Sequence, residues 1–308
     1  LEVKRWFLLI FLGSIMIVLG FMVLANVRPI YLTLELIRKA ALVLPSNVLA
    51  AIFILIGGGI FFKGWQKTTL SLMDMDSSKG NSSILEKLYR RRKLNKGAKI
   101  VAIGGGTGLS MLLRGIKKYT NNVTAIVTVG DDGGSSGRLR EEMGILPPGD
   151  IRNCIAALAD DEDMITELFQ YRFKNGEGLE GHSFGNLFLT ALCSITGDMF
   201  RAVKESSNVL NMRGVVLPAT LDDMKLAATF EDGRVVHGES NIPEAHGKIK
   251  RLFTEPEHCK ALPEAIAAIH DADLIILGPG SLYTSVIPNL LVDGIVDAIE
   301  KSHAKRIY

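Results

Sequence analysis

The sequence predicts an α/β fold with a mostly parallel sheet, preceded by two apolar helices long enough to span a membrane. Three observations support this prediction. Two long runs without charge lie near the N-terminus, two units of strand, glycine loop and helix follow, and segments with period-two alternation lie between those units. Apolar strands joined to helices indicate a parallel sheet with helices on both faces, whereas short alternating strands indicate a small antiparallel addition.

Two apolar runs occupy residues 6–27 and 40–62, and neither contains a charged residue. Each is long enough to cross a bilayer, which takes about 20 apolar residues. The first run is too long for the apolar part of a signal peptide, and a second run follows closely. We therefore expect a two-helix membrane hairpin within residues 1–66, with both runs in the lipid bilayer.

The charge differs between the two parts of the chain. Residues 1–99 contain 15 Lys and Arg against 5 Asp and Glu, whereas residues 100–308 contain 20 against 28. The basic residues after the second run predict a multi-pass protein of the cell membrane whose remaining chain lies in the cytoplasm. Residues 67–97 would form a basic and polar linker, which either contacts anionic lipid or only fixes topology. Because residues 98–308, the expected α/β domain, are acidic overall, nucleic acid is not an expected partner.

The cysteines and histidines argue against two common kinds of site. Cys154, Cys193 and Cys259 form no CxxC pair, and an odd number makes a poor disulfide framework. The six histidines lack metal-ligand spacing, so a zinc site is not expected. Both observations agree with a reduced cytoplasmic domain.

The α/β domain begins with KIVAIGGGTGLSMLLR, residues 99–114. An apolar strand is followed by a glycine loop and then by apolar residues at helical spacing. Glycine permits positive φ and close approach, and the first N–H groups of the helix point at the loop. Such a corner attracts an anion, most often a phosphate, unless it is only a glycine-rich turn. The candidate binding residues here are Gly104, Gly105, Gly106, Thr107 and Gly108.

A second apolar strand, VTAIVTV, ends at the loop GDDGGSSGR, residues 130–138. The succession of strand, helix and strand predicts a right-handed βαβ unit of a Rossmann-like fold, in which both loops share one crevice. Asp131 follows the glycine loop at about the distance in sequence at which dinucleotide-binding folds place a carboxylate that binds a ribose hydroxyl group. Asp131 and Asp132 could instead hold Mg²⁺ beside a phosphate, or form a polar turn. Ser135 and Ser136 add hydroxyl groups to the same loop.

A third polar segment, LPPGDIRN, breaks the chain before another helix. Asp150 is expected to cap this helix, which would begin near Ile151. Arg152 and Asn153 would then lie in its first turn. A cation is unfavourable there for the helix dipole, which suggests that Arg152 contacts a ligand, unless it is an ordinary surface arginine.

The segment GHSFGN precedes an almost wholly apolar helix, LFLTALCSI. His182, Ser183 and Asn186 are therefore expected to cluster at the entrance of a core helix and to face the crevice. His182 is either a capping or packing residue, or an acid, a base or a ligand contact. The sequence shows no Ser-His-Asp arrangement, so hydrolysis by an activated nucleophile has little support.

From Gly214 onward, short segments alternate with period two and predict antiparallel strands. The segment DLIILGPGSLYTSVIPNLLV then repeats the order of strand, glycine loop and helix. Gly278, Gly280 and a helix-capping Ser281 would form the opposite wall of the crevice, or a tight corner that binds nothing. The final AKRIY predicts the start of another buried strand, and the domain is expected to be incomplete at this end.

The chain from about residue 98 onward resembles the YvcK/CofD-like family. The resemblance rests on five segments in this order: KIVAIGGGTGLSMLLRGIK, AIVTVGDDGGSSGRLR, LPPGDIRNCIAALA, GHSFGNLFLTAL and LIILGPGSLYTSVIPNLLV. This family includes bacterial gluconeogenesis factors and the archaeal 2-phospho-lactate transferase, and DDGGSSGRLR is closer to the former. The resemblance implies a Rossmann-like domain that binds a UDP-sugar such as UDP-N-acetylglucosamine, with a role in cell-wall precursor supply and cell shape during growth on gluconeogenic carbon sources.

The resemblance also implies roles for the candidate residues. Gly104 to Gly108 would meet the diphosphate, Asp131 and Asp132 would meet the sugar or a metal, and Asn186 with Gly278 to Ser281 would complete the pocket. In the transferase branch the ligands would be a deazaflavin precursor and a guanylyl-activated phospho-acid, with Mg²⁺. The candidates for catalysis are Asp131, Asp132 and His182, and the candidates for metal binding are Asp131 and Asp132.

Two functions follow from these observations. The first is a non-catalytic, membrane-tethered nucleotide-sugar sensor that acts through a protein partner and could form a homo-oligomer. The alternative is a Mg²⁺-dependent transferase, in which the glycine loop fixes the leaving diphosphate. NAD(P) is a weaker candidate ligand because the full dinucleotide fingerprint is missing, and a tubulin-like GTPase would need the glycine loop elsewhere in the fold.

Overall fold

The computed structural model describes residues 92–160 and 162–308, together with ten single residues between positions 31 and 63. Contacts define a compact unit that runs from Leu85 to Tyr308. We number its elements from the first strand onward. The strands are β1 (Ile100–Gly104), β2 (Val123–Val127), β3 (Val215–Pro218), β4 (Lys225–Phe230), β5 (Val235–His237), β6 (Ile249–Glu255), β7 (Leu274–Leu277) and β8 (Lys305–Ile307).

The helices from β1 onward alternate with these strands along the chain. They are α1 (Gly106–Ile116), α2 (Gly134–Met143), α3 (Gly149–Leu158), α4 (Glu162–Gln170), α5 (Phe184–Thr196), α6 (Met199–Leu210), α7 (Asn241–Glu244), α8 (Pro263–His270), a π-helix (Leu282–Val286), α9 (Ile287–Leu290) and α10 (Ile295–Lys301).

Within the described residues, five parallel strands form the central sheet in the order β3-β2-β1-β7-β8. This confirms the predicted α/β fold with a mostly parallel sheet. Gly104 lies opposite Val127, and Ile103 lies opposite Leu277. The carboxyl ends of β1, β2 and β7 therefore meet at one edge, where open α/β sheets bind ligands.

The apolar residues form the elements that their spacing predicts. Val101 to Gly104 of β1 are all buried, and alternate side chains of a strand point to opposite faces, so both faces of the sheet are covered. On α1, Leu109, Leu113 and Ile116 recur at helical spacing and are buried in the main core. Each such side chain contributes about 1.5–3 kcal/mol to the free energy of folding.

The second sheet is small and antiparallel, with the order β5-β4-β6, as predicted. It has its own core around Leu226, Phe230 and Leu252. The segment GVVLPAT was also expected to belong to the antiparallel part. It forms β3 of the parallel sheet instead, because five helices separate β2 from β3 and such a crossover produces parallel pairing.

Two further expectations need correction at the carboxyl end of the domain. β8 forms as expected, but Lys305, Arg306 and Ile307 are exposed rather than buried, because β8 lies at the edge of the sheet built from the described residues. Ser281 was expected to cap a helix. Its side chain makes no capping hydrogen bond, and the segment after it is a π-helix.

The predicted multi-pass membrane location is contradicted. In the part of the chain that the structure describes, no helix is long and apolar enough to cross a bilayer. From β1 onward the longest helix, α5, has 13 residues, whereas a span takes about 20. Of the two runs behind the prediction, residues 6–27 lie outside the described residues and residues 40–62 lie mostly outside them. The predicted domain limits at 66 and 97 stay predictions.

Candidate functional site

The predicted phosphate loop connects β1 to α1, but a side chain of the protein already occupies it. Gly106, at φ 65°, begins α1, and its N–H donates to the carboxylate of Asp150. A Cβ on Gly105 would lie 2.5 Å from Oδ2 of Asp150, so only glycine leaves room for this carboxylate. Asp150 was expected to cap its own helix. It binds the N-terminus of α1 instead, and α3 has no side-chain cap.

The position of Asp150 changes its acidity. The pKa of this carboxyl is raised to about 6, mainly by burial and in addition by the charge of Asp131, while the hydrogen bond from Gly106 and the charge of Arg152 act in the opposite direction. The N-terminus of α1 therefore binds an internal anion whose negative charge is poorly compensated.

The two glycine loops touch each other and do not face each other across a crevice. A Cβ on Gly108 would lie 2.6 Å from the carbonyl oxygen of Pro279, in the second loop. Buried Asn289 strengthens this contact, because its Nδ2 donates to the carbonyl oxygen of Gly104 over 3.1 Å. Gly278 and Gly280 therefore support the first loop directly. Asn289 was not a candidate, since nothing in the sequence near it indicates a contact with residue 104.

Three helices begin around one pocket of about 250 Å³, which we call the three-helix pocket. They are α2, α3 and α5, and the first N–H groups of each helix have no partner within that helix. The dipoles of these helices favour negative charge at the pocket. The lining residues are Asp131, Gly133, Gly134, Ser135, Ser136, Gly149, Asp150, Arg152, Asn153, Arg172 and Asn186.

The structure brings six candidates to this pocket, namely Asp131, Ser135, Ser136, Arg152, Asn153 and Asn186. The glycine-loop candidates Gly104 to Gly108 and Gly278 to Ser281 do not line it. Thr107 is exposed. The predicted set therefore divides into a polar pocket and an adjoining pair of packed loops.

Arg152 organises the three-helix pocket. It is buried rather than a surface arginine. Its Nη1 donates to Oγ of Ser183 over 2.6 Å and to Oδ1 of Asn186 over 2.9 Å, and its Nη2 donates to Oδ1 of Asn153 over 2.8 Å. Burial and the neighbouring Arg172 lower the pKa of the guanidinium. This arrangement fixes a cation between the starts of α3 and α5.

Ser135 joins the same network from α2. Its Oγ accepts a hydrogen bond from Nδ2 of Asn186 over 3.0 Å and lies 2.9 Å from Nδ1 of His182. His182 is buried, and burial together with the positive charge of Arg138 lowers its pKa. A neutral imidazole at this position holds the Ser135 hydroxyl in place. The predicted cluster of His182, Ser183 and Asn186 therefore forms at the start of α5.

The two neighbouring aspartates point to different places. Oδ1 of Asp131 accepts from the N–H of Gly133 over 3.0 Å, and Asp131 lines the three-helix pocket. Oδ1 of Asp132 accepts from the N–H of Ser240 over 2.9 Å, and Asp132 lines a second pocket beside the small sheet. Among the described residues no group of three or more His, Cys, Asp or Glu is placed to hold a metal ion. The assignment of Mg²⁺ to Asp131 and Asp132 therefore stays a prediction, because Mg²⁺ is often held by only one or two carboxylates together with a phosphate.

Glu239 lies close enough to the site for the charges of Asp131 and Asp150 to act on it, although the sequence did not suggest it. Burial raises its pKa to about 7, a hydrogen bond with Thr284 lowers it, and the charges of Asp131 and Asp150 raise it. Glu239 lies in the turn after β5, far in sequence from the other members. Only the packing of the small sheet against the loop after β2 brings it here, so no local signal could have found it.

Arg172 is a second residue that the sequence analysis missed. It lines the three-helix pocket, and its Nη1 donates to the carbonyl oxygen of Gly181 over 2.8 Å. This bond ties the guanidinium to the turn before His182. A lone arginine after a helix carries no signal of such a role in the sequence.

Comparisons with known proteins show what the chain is similar to. The family model described as CofD, 2-phospho-L-lactate transferase CofD, matches residues 100–308. A gluconeogenesis factor of Bacillus subtilis is 60% identical over 210 residues, which cover 68% of this chain and 66% of that protein. A Nostoc protein is 54% identical over 312 residues, which cover 100% of this chain and 68% of its own length.

A solved structure agrees with the fold. The crystal structure of a Bacillus halodurans protein matches with a TM-score of 0.67 and 56% identity, over 69% of this chain and 68% of that chain. The match with a relative from Clostridium acetobutylicum covers only 50% of that protein. The chain therefore spans half to about two thirds of the relatives compared.

Proposed function

The chain belongs to the CofD family, and from this premise we propose that it is a regulatory protein of the gluconeogenesis-factor type that binds a nucleotide-sugar. The ligand class is UDP-N-acetylglucosamine and similar diphosphates, and the role is in cell-wall precursor supply and cell shape through a protein partner. The main support is the three-helix pocket, where the starts of α2, α3 and α5 surround buried Arg152. The similarity to gluconeogenesis factors adds to it.

The diphosphate fits the start of α2 better than the glycine loop. At Gly106 the N–H already donates to Asp150, so an incoming phosphate would have to displace a carboxylate. At the start of α2, the hydroxyl of Ser136 lies beside N–H groups that the helix leaves unpaired, and the hydroxyl of Ser135 is already held by Asn186 and His182. Arg152 and Arg172 add positive charge to the same pocket. An anion placed there gains from all of these groups together.

Binding also has an electrostatic cost. Asp131 and Asp150 line the pocket and would repel a diphosphate when both are ionised. Because the pKa of Asp150 is raised to about 6, mild acid removes one of these charges. We therefore expect the protein to take up a proton when it binds the ligand, and to bind more tightly at pH 6 than at pH 8.

A binding role rather than catalysis is supported by the hydrogen bonds of the catalytic candidates. Asp131 holds the N–H of Gly133, Asp132 holds the N–H of Ser240, and His182 holds Ser135. Each group stabilises a loop or a helix start. In that role it positions the walls of the pocket.

The second candidate function is the Mg²⁺-dependent transferase. The description of the matching family model favours it. Since no group of three or more His, Cys, Asp or Glu among the described residues is placed to hold a metal ion, we derive no reaction step through Mg²⁺. Formation of product from a guanylyl-activated phospho-acid and a deazaflavin acceptor, abolished by Asp132→Ala, would establish this activity. Absence of product with every deazaflavin acceptor would count against it.

Isothermal titration calorimetry of the full chain tests the proposed function. We expect saturable binding of UDP-N-acetylglucosamine, weaker binding of GDP and NADP, and binding of the sugar nucleotide that is at least about tenfold weaker in Arg152→Lys. A ligand at a hundredfold its Kd stabilises the folded state by about 2.7 kcal/mol, so thermal unfolding gives an independent check. If no UDP-sugar binds at millimolar concentration, the proposal is wrong.

A further inference from the structure

Helix α5 carries no charge on any side. None of its 13 residues is charged, and its inner side packs into the main core through Leu189 and Cys193. A helix at a protein surface normally has charged or polar residues on the side opposite the core, whereas a helix that is apolar all round is normally buried. The composition of α5 therefore indicates that its outer side also packs against a partner.

The outer side of α5 is formed by apolar side chains at positions i, i+3, i+4, i+7 and i+11. These residues, which we call the α5 stripe, are Phe184, Leu187, Phe188, Ala191 and Ile195. Ile195 is 80% exposed, Ala191 is also exposed, and the other three are half-buried. Apolar residues at this spacing line up along one side of a helix, which is the pattern of a helix that buries this side.

Two helices flank the α5 stripe. Both α4 and α6 pack against α5. On the α4 side, the ring of Phe169 lies 6.1 Å from that of Phe184 and 5.4 Å from that of Phe188. Leu168, the neighbour of Phe169, is 39% exposed and adds to the apolar surface of α4. The three helices therefore form one face with an uncharged centre.

The charges beside the α5 stripe differ between its two sides. The charged residues of α4 are all acidic and include the exposed Asp163 and Glu167, whereas α6 exposes Arg201, Lys204 and Glu205. A two-fold axis perpendicular to α5 would place α4 of one copy opposite α4 of the other, acid against acid. An axis parallel to α5 places the acidic α4 opposite the cations of α6, so the charges of two copies are then complementary.

We propose that the α5 stripe is the interface of a homodimer, in which α5 packs against α5 of a second copy about a two-fold axis parallel to the helix. A second copy brings the same uncharged stripe to the contact, and homodimer interfaces are more apolar than the rest of a protein surface. Three adjacent helices of this length present a face on the order of 600 Å² per copy. This area reaches the lower limit of stable interfaces, which is also about 600 Å² per partner.

Sedimentation equilibrium of the full chain tests the dimer. The wild-type protein is expected to form dimers, and Ile195→Glu should raise the dimer Kd by at least about tenfold, because each copy loses an apolar contact and gains a carboxylate that faces its own copy. The control is Val235→Glu, at an exposed position of β5 in the small sheet, and it should leave the dimer Kd unchanged.

Disulfide cross-linking tests the direction of the axis. Cys154, Cys193 and Cys259 are buried, so the wild-type chain provides a background without exposed thiols among the described residues. With an axis parallel to α5, every residue of the stripe meets its own copy, so Ala191→Cys and Ile195→Cys should both form covalent dimers on oxidation. With a perpendicular axis only one of the two positions can lie at the axis, and cross-linking of only one would overturn the proposed arrangement.

Three other results would also overturn the proposal. The first is a wild-type protein that stays monomeric at every concentration. The second is a dimer that Ile195→Glu leaves intact, since another surface then forms it. The third is a monomer whose thermal unfolding temperature falls in Ile195→Glu, because another part of the same chain then covers the stripe. If Ile195→Glu fails to fold, the two cysteine variants still decide the question.

Discussion

Asp131 and Asp132 are consecutive, yet they bind different parts of the backbone. Oδ1 of Asp131 accepts from the N–H of Gly133, two residues away, whereas Oδ1 of Asp132 accepts from the N–H of Ser240, 108 residues away. The first bond shapes the loop before α2. The second ties that loop to the turn after β5, so one dipeptide both closes the three-helix pocket and holds the small sheet.

Asp131→Asn should strengthen the binding of UDP by roughly threefold to tenfold at low salt. The amide keeps an acceptor for the N–H of Gly133 and removes a negative charge that would repel the diphosphate. Calorimetry at two ionic strengths measures the effect, which should shrink at high salt.

The matched control for this change is Asp297→Asn, because Asp297 is an exposed carboxylate of α10 that lines neither pocket. It should leave UDP binding unchanged. If Asp131→Asn instead weakens binding in the presence of Mg²⁺ and not in its absence, Asp131 holds a metal with the ligand and the electrostatic prediction is wrong.

The free energy of unfolding should fall as the pH rises from about 4 to about 7. Folding raises the pKa of Asp150 from 3.8 to about 6 and that of Glu239 from 4.5 to about 7. A carboxyl with a raised pKa binds its proton more tightly in the folded state, so stability is lost as the pH passes from its unfolded pKa to its folded one. Each unit of difference corresponds to about 1.4 kcal/mol.

Urea unfolding at pH 5 and at pH 8 measures this loss. Asp150→Asn and Glu239→Gln should each reduce this loss of stability, because the amide that replaces the carboxyl group does not titrate. Glu264→Gln, at an exposed position of α8, serves as the control and should leave it unchanged. A pH dependence of Glu239→Gln that matches that of the wild type would show that Glu239 is not the source.

Gly108→Ala should lower the free energy of unfolding by about 1–3 kcal/mol, the usual range for overpacking. The added Cβ would lie 2.6 Å from the carbonyl oxygen of Pro279, and a backbone oxygen cannot move aside as a flexible side chain can. The control lies on the same helix. A Cβ on Gly115 would meet no atom within 4 Å, so Gly115→Ala should stabilise by about 0.5–1 kcal/mol.

Urea unfolding of the two glycine variants provides the comparison. Opposite signs are expected, since both changes have the same helix-propensity gain and differ only in the packing of the glycine loops. Equal stabilisation by both would mean that the loops separate without cost in solution.

Arg152→Lys should lower the free energy of unfolding by about 2 kcal/mol and weaken the binding of UDP by at least about tenfold. A lysine cannot reproduce the guanidinium fork that reaches Ser183, Asn186 and Asn153, so buried acceptors lose their partners. Urea unfolding and calorimetry measure the two effects. The control, Arg201→Lys on the exposed face of α6, should change neither, and unaltered UDP binding by Arg152→Lys would remove Arg152 from the site.

Much of the fold followed from the sequence by itself. The apolar runs of β1, β2 and β7, the glycine loops after them and the helical spacing of α1 predict a parallel α/β sheet, because burial on both faces requires such runs. The sequence also indicated the polar candidate residues at the starts of α2, α3 and α5, because the first turn of a helix has a recognisable local sequence. These features depend on residues that are near one another in the chain.

The tertiary structure decided which of those residues meet. Asp150 binds Gly106 rather than capping α3, Glu239 joins from the small sheet, and Asn289 supports Gly104 from 185 residues away. Each contact joins segments that are distant in sequence, and its position depends on how two sheets and several helices pack. Local patterns determine where helices and strands begin, whereas only packing determines that Asp131 and Asp132 serve two different pockets.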